Sequence, residues 1–293
     1  MLETIYTCPV CNCEHFTHYM TCNDHLVSHE NFKISKCSNC HFLFTNPRPH
    51  PANLGSYYKS DEYISHTDKS NNLTNTLYKL ARTFTLNQKL NMINSLVAER
   101  TILDFGCGTG DFLSTCKRGS WKVHGFEPNS TARSIAEQKL EESIHHDLEE
   151  IRHLRDISII TLWHVLEHIS DLNETLDVLV STICKKGQIL IAVPNHESLD
   201  AKIYQQFWAA YDVPRHLYHF SQSTIEKLLK NHGLKINRIL PMKLDSFYVS
   251  LLSEKYEKGR TNMLLSFING CKSNIYANKN SKNYSSLIYV ASK

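Results

Sequence analysis

The chain has 293 residues, and its 32 basic and 29 acidic residues leave a formal net charge of +3. This length allows one large domain and a small one. No run of like charges forms an arm of the kind that binds nucleic acid. No apolar run approaches the length of a membrane span, and the start Met1-Leu2-Glu3 does not resemble a signal peptide. We therefore expect a soluble, cytoplasmic protein.

The cysteines are concentrated near the amino terminus, where six of the ten lie within the first forty residues. Cys8 with Cys11, and Cys37 with Cys40, form two Cys-x-x-Cys pairs among short hairpin-like segments. Four thiolates complete a tetrahedral zinc shell with no position left for water, so we predict a structural zinc in a ribbon over residues 1–46. A metal-free redox pair is the alternative interpretation. Five neighbours are possible substitute ligands: Cys13, Cys22, His15, His18 and His25.

A proline-rich boundary follows the ribbon. Three prolines lie between Pro47 and Pro51, which excludes a helix there. Between residues 77 and 97, apolar residues recur at roughly helical spacing. We expect one or two helices in this stretch, lying over the front of the following domain, and assign residues 47–99 to a linker and these helices.

The most informative run lies just beyond, where apolar residues lead into a glycine-rich turn. Residues 102–110 read ILDFGCGTG, and an amphipathic stretch follows. A strand, a tight turn and a helix are predicted, as at the start of a nucleotide-binding βαβ unit. Gly106, Gly108 and Gly110 let the backbone approach a ligand directly, because glycine has no Cβ. Glu127 ends the next predicted strand, where a carboxylate can hold ribose hydroxyls.

This Gly-x-Gly-x-Gly run resembles the S-adenosylmethionine (SAM) loop of class I methyltransferases. The resemblance implies SAM contacts by five residues of the run: Asp104, Gly106, Cys107, Gly108 and Gly110. Asp104 would orient the loop and the methionine ammonium, Glu127 would take the ribose, and Asp147 stands where these enzymes often place an acid against adenine. Ordinary strand-end capping is the alternative role of Asp104 and Glu127.

Strands and helices alternate through residues 100–293, which predicts a parallel sheet covered on both faces. Residues 157–162 form a buried β-branched run, and residues 188–193 form the next strand. A helix with one apolar face begins near Leu172 and is predicted to end at Gly187. Ser223 and Glu226 are predicted to form a capping box for a later helix. Strands over 234–240 and 286–291 complete seven strands.

A second run, LWHVLEH at residues 162–168, follows the fourth predicted strand. Ligands of open α/β sheets bind beyond this end of the strands. His168 is a candidate general base, since histidine titrates near neutral pH. Trp163 or His164 is expected to line the pocket for the adenosine of SAM. Capping of a helical turn is the alternative role of His168.

A third run, WAAYDVPRHLYHFS at residues 208–221, concentrates aromatic and basic side chains. We predict an acceptor pocket here, with Trp208, Arg215 and His219 as substrate-binding residues. Arg215 would pair bidentately with a phosphate or carboxylate, and His216 is an alternative base, as is His219. The alternative interpretation is that these aromatic residues pack in the core under the sheet edge.

Together, the runs TNPRP, LDFGCGTGDFL, LWHVLEHISD, VPN and DVPRHLYHFS resemble bacterial class I methyltransferases of the ubiquinone-biosynthesis-like type with an N-terminal zinc-binding segment. The resemblance implies an α/β, Rossmann-like, seven-stranded sheet of order 3-2-1-4-5-7-6 over residues 100–293, with the preceding helices covering SAM. It implies SAM as the methyl donor but does not fix the acceptor, since members of this type act on quinone precursors, sugars and other small molecules. We expect in-line transfer to a hydroxyl or another nucleophile of such a small molecule.

Two other functions would also account for parts of this sequence. An RNA methyltransferase would dock its substrate through the zinc ribbon. Against it stand the near-neutral charge and the sequence LWHV, where enzymes that methylate amino groups of bases carry an Asn/Asp-Pro-Pro-aromatic run. A non-catalytic SAM-binding scaffold is the third hypothesis, which the intact donor-binding residues disfavour.

Overall fold

The computed structural model describes residues 2–58 and 73–293. Part of the predicted linker, residues 59–72, lies outside the described residues. The strands of the described ranges are β1 (Leu2–Glu3), β2 (Phe16–Asn23), β3 (Asn31–Cys37), β4 (Leu43–Thr45), β5 (Arg48–Pro49), β6 (Thr101–Phe105), β7 (Lys122–Phe126), β8 (Ile157–Trp163), β9 (Ile183–Pro194), β10 (Tyr218–His219), β11 (Lys235–Pro241) and β12 (Ser286–Ser292). The α-helices are α1 (Pro51–Leu54), α2 (Leu73–Asn94), α3 (Asp111–Arg118), α4 (Ser130–Leu140), α5 (Leu148–Arg152), α6 (Leu172–Thr182), α7 (Leu199–Tyr204), α8 (Gln222–Asn231), α9 (Asp245–Lys258) and α10 (Met263–Lys279).

A six-stranded sheet of order β11-β12-β9-β8-β6-β7 forms the centre of the larger domain. Strands β7, β6, β8 and β9 are parallel, whereas β12 runs antiparallel to β9 and to β11. A parallel bridge between Phe126 and His145 lies beyond β7 and stands in place of a further strand. With that bridge counted, the order is 3-2-1-4-5-7-6. The predicted Rossmann-like sheet is confirmed, with its third strand reduced to a bridge.

The sheet is buried on both faces, as parallel strands require. Alternate residues of β9 point to opposite sides: Ile189 and Ile191 join a core beneath α6 and α8, whereas Leu190 and Ala192 join one beneath α2, α3 and α4. The apolar runs of the strands are therefore enclosed by helices on both faces of the sheet.

The amino-terminal ribbon shares its sheet with the larger domain. Strands β2, β3 and β4 pair antiparallel, and β10 of the larger domain pairs with β4, so that the sheet has the order β10-β4-β3-β2. The Phe42 ring packs against the rings of Tyr218, in β10, and of Phe220, which directly follows β10. The Arg48 guanidinium donates to Glu3 and to the Tyr218 hydroxyl. The run 208–221 thus joins the two parts of the molecule.

The predicted end of helix α6 is wrong. The helix ends at Thr182, and β9 begins at the next residue and includes Gly187. A Cβ on Gly187 would lie 2.7 Å from Cγ2 of Ile183 and 2.8 Å from the carbonyl oxygen of Ile157. Glycine is therefore required here by the close approach of Ile183, in the same strand, and of Ile157, in β8, and it does not stop a helix.

The predicted capping box is also displaced. Ser221, not Ser223, is the N-cap of α8, and its partner is Thr224 instead of Glu226. The Ser221 backbone N–H donates to the Thr224 hydroxyl at 2.9 Å, while the Ser221 hydroxyl accepts from the Thr224 N–H at 3.4 Å. A threonine hydroxyl thus replaces the acidic side chain that the box usually carries.

Helices α9 and α10 form a hairpin between β11 and β12 that the sequence analysis did not predict. Gly270 permits their close packing, because a Cβ there would lie 2.6 Å from the ring of Phe247. The hairpin is anchored to α7 through Asp200, which accepts from the Ser273 hydroxyl at 2.6 Å. In the described ranges, no helix is long and apolar enough to cross a membrane.

Candidate active site

The glycine-rich loop joins β6 to α3, and its three glycines all have positive φ: 80° at Gly106, 55° at Gly108 and 75° at Gly110. A Cβ on Gly106 would lie 2.5 Å from Cγ2 of Val165, and one on Gly110 would lie 3.0 Å from Cβ of Ala136. At Gly108 no atom lies within 4 Å of that position. The loop is therefore packed tightly at its ends, and its middle presents an open cradle that a side chain would fill.

Two buried carboxylates flank the cradle at Gly108. Glu127, which follows β7, accepts from the N–H groups of Gly108 and Asn129 at 2.9 Å each. Asp104, in β6, accepts from the Thr161 hydroxyl at 2.6 Å. Burial raises the pKa of Asp104 to about 6 and also raises the pKa of Glu127. Since a carboxylate can accept about four hydrogen bonds, both groups keep capacity for a ligand that carries donors.

Two of the predicted SAM contacts have other partners in the structure. The Cys107 side chain is buried, and its sulfur lies 3.0 Å from the position of a Cβ on Gly125. Burial raises the pKa of this thiol, so only the backbone of Cys107 is suited to a polar ligand. Asp147 is exposed and is the N-cap of α5, where it accepts from the Glu149 N–H at 3.0 Å.

A lysine that the sequence analysis missed lies against the same site. The Nζ of Lys89, on α2, lies 3.9 Å from the ring centroid of Trp163 and 5.8 Å from that of Phe112, which are cation–π distances. Burial lowers the pKa of Lys89, whereas Asp104 and Asp245 favour its charged form. Helix α2 thus brings a cation to the edge of the sheet. No local pattern marks this lysine, because its place depends on how α2 packs.

His164 is held between two acidic residues directly after β8. Its φ of 55° is uncommon for a residue with a side chain. Its Nε2 lies 3.1 Å from an oxygen of Asp245, and its Nδ1 lies 3.4 Å from an oxygen of Glu167. Burial disfavours the charged ring, but the two carboxylates outweigh it and raise the pKa of His164 to about 10. His164 is therefore a cation at neutral pH, and it ties the α9 hairpin to the loop after β8.

The two candidate bases, His168 and His216, lie side by side. Their ring centroids are 4.5 Å apart, in an edge-to-face arrangement. The Nδ1 of His168 lies 3.0 Å from the Arg215 carbonyl oxygen and 2.9 Å from the Tyr58 hydroxyl, and the Nδ1 of His216 lies 2.9 Å from the Ala210 carbonyl oxygen. Burial and the neighbouring His216 lower the pKa of His168 to about 4. The His168 ring is therefore neutral at physiological pH.

Arg215, predicted to bind substrate, is 1% exposed and already engaged on several sides. It donates to Asp24 at 2.9 Å, to Asp212 at 2.7 Å and to the Tyr57 carbonyl at 3.0 Å. These partners belong to the ribbon, to its own loop and to the segment after the ribbon. The guanidinium has no open face for a substrate, and its role is to join the two parts of the molecule.

Trp208 and His219 have the packing role that was the alternative interpretation of their run. Trp208 is 2% exposed, and its indole N–H donates to Asp200 at 2.7 Å. His219 is 4% exposed, and its Nε2 lies 3.2 Å from the Thr45 hydroxyl of the ribbon. The aromatic and basic composition of this run, which predicted an acceptor pocket, reflects an interior interface instead.

The four ribbon cysteines converge on one point. Their four sulfur atoms all lie within 4.8 Å of one another. The sulfur atoms of Cys8 and Cys40 are 3.5 Å apart, as are those of Cys11 and Cys37. Sulfur atoms at about 2.3 Å from a tetrahedral zinc ion would lie about 3.8 Å from one another. None of the four is in a disulfide. The cluster is therefore compatible with the predicted structural zinc after small adjustments.

Comparisons with known proteins agree with this geometry. Residues 76–238 match the family model of a methyltransferase domain. A SAM-dependent methyltransferase from Archaeoglobus fulgidus is similar in structure, with a TM-score of 0.50 and 22% identity over 72% of this chain and 94% of that chain. A search of curated proteins found no match.

Two further solved structures share the fold over more of the chain. Magnesium protoporphyrin IX methyltransferase from Synechocystis PCC 6803, solved with bound S-adenosylhomocysteine (SAH), has a TM-score of 0.52 and 14% identity over 83% of this chain and 99% of that chain. A mycolic acid cyclopropane synthase complexed with SAH has a TM-score of 0.54 and 14% identity over 84% and 99%. Because the family model covers more than half of the sequence, the chain belongs to the methyltransferase domain family and is a class I SAM-dependent methyltransferase.

Proposed function

We propose that this enzyme transfers a methyl group from SAM to a small-molecule acceptor by in-line displacement. The open cradle at Gly108, flanked by the buried carboxylates of Glu127 and Asp104, carries the proposal. SAM presents ribose hydroxyls and an ammonium group as donors, and two carboxylates beside a glycine loop are suited to both. A Cβ at Gly108 would occupy the space that the donor needs.

In the proposed donor site, different side chains bind different groups of SAM. Glu127 binds the ribose hydroxyls with the lone pairs that its two backbone bonds leave. Asp104 pairs with the methionine ammonium, and Lys89 pairs with the methionine carboxylate, so that opposite charges meet at both groups. The proposed site is completed by the backbone of Gly106, Cys107, Gly108 and Gly110, by the carboxylate of Asp147 and by the walls of Trp163 and His164.

SAM supplies a methyl group on a sulfonium, which is already a good leaving group. The residues of the chain therefore have to align the acceptor with the bond that breaks and to exclude water. Helix α2 with Lys89 and the α9 hairpin with Asp245 cover the edge of the sheet around His164. His168 and His216 lie side by side beyond β8, at the end of the strands where open α/β sheets bind their ligands, and we place the acceptor next to them.

A small acceptor suits this surface better than RNA. The aromatic and basic run 208–221, which would have to present stacking side chains to an unpaired base, is instead buried against the ribbon. The formal net charge of +3 over 293 residues also provides little general attraction for a polyanion. We therefore propose a small metabolite as the acceptor, with a hydroxyl or another nucleophile as the methylated group.

Titration calorimetry of SAM and SAH, on protein whose zinc content has been measured, tests the donor half of the proposal. Gly108→Val fills the cradle, and we expect at least a hundredfold loss of affinity for both ligands with the zinc content unchanged. Gly259→Val is the matched control, because Gly259 also has a positive φ, 69°, and open space around its Cβ position, but it lies at the end of α9. Normal SAM binding by Gly108→Val would contradict the proposed site.

Transfer of labelled methyl from SAM tests the acceptor half. The same enzyme is offered pools of hydroxylated small molecules and, separately, cellular RNA. Label in a small molecule supports the proposal. Label in RNA alone, or no transfer by enzyme that binds SAM normally, contradicts it.

A further inference from the structure

Three side chains with metal-binding atoms converge beside the proposed acceptor site. Glu167 and His168, in the short 3-10 turn after β8, and His216, just before β10, each place one ligand atom within 4.8 Å of the other two. The two segments are tied by a backbone hydrogen bond from the Leu217 N–H to the Glu167 carbonyl at 2.8 Å. Two imidazoles and one carboxylate form a ligand set that binds several divalent transition-metal ions.

Backbone carbonyls orient both imidazoles of this cluster. The Nδ1 of His168 faces the Arg215 carbonyl at 3.0 Å, and the Nδ1 of His216 faces the Ala210 carbonyl at 2.9 Å. A carbonyl oxygen can only accept, so Nδ1 carries the proton in each ring, and Nε2 keeps its lone pair. The Nε2 of His216 lies 3.9 Å from the nearest oxygen of Asp212, beyond hydrogen-bond distance. Histidines that bind metals almost always donate their second ring N–H in this way.

The Glu167 carboxylate is the third part of the cluster and the least satisfied. It is fully buried, and neither of its oxygens has a hydrogen-bond donor among the described residues. His164, at 3.4 Å, compensates its charge through an ion pair without a well-formed hydrogen bond. Buried carboxylates normally have donors or cations as direct partners, because burial without them is costly. A cation between this carboxylate and the two imidazoles would supply the partner that the carboxylate lacks.

We propose that Glu167, His168 and His216 bind a divalent transition-metal ion that holds the acceptor through an oxygen atom. Three protein ligands leave coordination positions open for substrate. A divalent ion at a hydroxyl oxygen lowers the pKa of that hydroxyl, so its proton passes to water and the oxygen attacks the methyl carbon of SAM. A C–O bond forms, the C–S bond breaks, and SAH leaves with the electron pair on sulfur. The acceptor class is then a small molecule with a hydroxyl group. This catalytic role rests on the proposed function, whereas binding of the ion does not.

Cobalt(II) tests the site, because its absorption spectrum distinguishes nitrogen and oxygen ligands from thiolates. The ribbon is first saturated with zinc, which four thiolates retain well. We expect wild-type protein to take up one Co²⁺ per chain without a thiolate charge-transfer band. Glu167→Gln and His216→Gln should each weaken Co²⁺ binding at least tenfold. His219→Gln is the matched control, since it alters a buried histidine whose Nε2 contacts Thr45 instead of the cluster, and it should bind Co²⁺ as wild type does.

Three results would overturn the metal site: no Co²⁺ uptake by the zinc-loaded wild type, a spectrum with thiolate bands alone, or equal uptake by the Glu167 and His216 variants. Zinc content and SAM titration of every variant show that it is folded. The same titration separates the two proposals. SAM binding without Co²⁺ uptake overturns the metal site alone, and Co²⁺ uptake without SAM binding overturns the proposed function alone.

Discussion

The guanidinium of Arg215 and the carboxylate of Asp24 form an ion pair between the larger domain and the ribbon, with Nη2 2.9 Å from Oδ1 and both side chains at most 1% exposed. Asp24 lies in the turn between β2 and β3, where its carboxylate also accepts from the N–H groups of Leu26 and Ser28. Arg215 directly precedes His216. The ribbon therefore helps to position the loop that carries one of the proposed metal ligands.

Removing Arg215 should be one of the most damaging single changes in the chain. Arg215→Met leaves the carboxylates of Asp24 and Asp212 without their cation, and breaking a buried pair in this way costs about 3–5 kcal/mol. The free energy of unfolding in urea measures the loss. Lys117→Met is the control, since the Lys117 side chain is 41% exposed in its pair with Glu142 and should cost at most about 1 kcal/mol. Similar losses of unfolding free energy in the two variants would show that the buried ion pair stabilises the fold no more than the exposed one.

The parts of the site that the sequence predicted are those set by local chemistry. The glycine loop is an example, because the left-handed conformations of Gly106, Gly108 and Gly110 follow from residue type and spacing. The four-cysteine cluster is another, since the short spacing within each pair brings two sulfur atoms together before any tertiary contact forms. The alternation of apolar runs with helices predicted a parallel sheet, and the resemblance to class I methyltransferases supplied the order of its strands.

The parts that could not be predicted depend on which surfaces meet. Arg215 and His219 have the composition of a binding loop, and only the pairing of β10 with β4 shows that they are interior. Lys89 lies on a helix without any motif, and it enters the site because α2 crosses the edge of the sheet. Asp245 belongs to a hairpin inserted between β11 and β12, a connection that residue patterning does not reveal.

Asp104 should destabilise the SAM-free protein at neutral pH. Its pKa is 3.8 in an unfolded chain and about 6 in the folded one, so the folded state binds more protons between these values, and stability falls as pH rises through them. Asp104→Asn removes this effect and should stabilise the SAM-free protein at pH 8 by up to about 3 kcal/mol. At pH 5 the gain should be smaller by on the order of 1 kcal/mol, because the folded wild-type carboxyl is then largely protonated.

Urea unfolding at both pH values, with SAM titration at pH 8, checks the Asp104 prediction. The variant should lose at least tenfold in SAM affinity while it gains stability. Glu226→Gln, at an exposed carboxylate of α8 outside the proposed site, controls for the removal of one negative charge. An Asp104 variant that is less stable than wild type at pH 8 would contradict the prediction.

Lys89 should recognise one end of SAM only. Lys89→Met keeps the length of the side chain and removes its charge, so we expect SAM affinity to fall about tenfold, or about 1.4 kcal/mol. Methylthioadenosine has no methionine carboxylate, and its affinity should change less than twofold. Calorimetric titration of the two ligands against both proteins measures the difference. Equal losses for SAM and methylthioadenosine would place Lys89 elsewhere in the site.

Zinc in the ribbon should stabilise the contact between β4 and β10, next to the proposed acceptor site, and should have little effect on SAM binding. Cys40→Ser removes one of four thiolates, and we expect the zinc content to fall from one ion per chain to near zero. Strand β4 would then hold β10 less firmly, because the Thr45 N–H donates to the Leu217 carbonyl at 3.0 Å and the Thr45 hydroxyl to the His216 carbonyl at 2.8 Å. Hydrogen exchange at the Thr45 amide, which makes the first of these bonds, should accelerate at least tenfold, while SAM affinity changes less than twofold.

The control for this zinc experiment is Cys184→Ser, which alters a half-buried cysteine of β9 outside the cluster. It should keep its zinc and show wild-type exchange. If Cys40→Ser loses zinc but the Thr45 amide exchanges as slowly as before, the ribbon holds its shape without the ion. In that case the shared sheet, and not the metal, positions His216 beside His168.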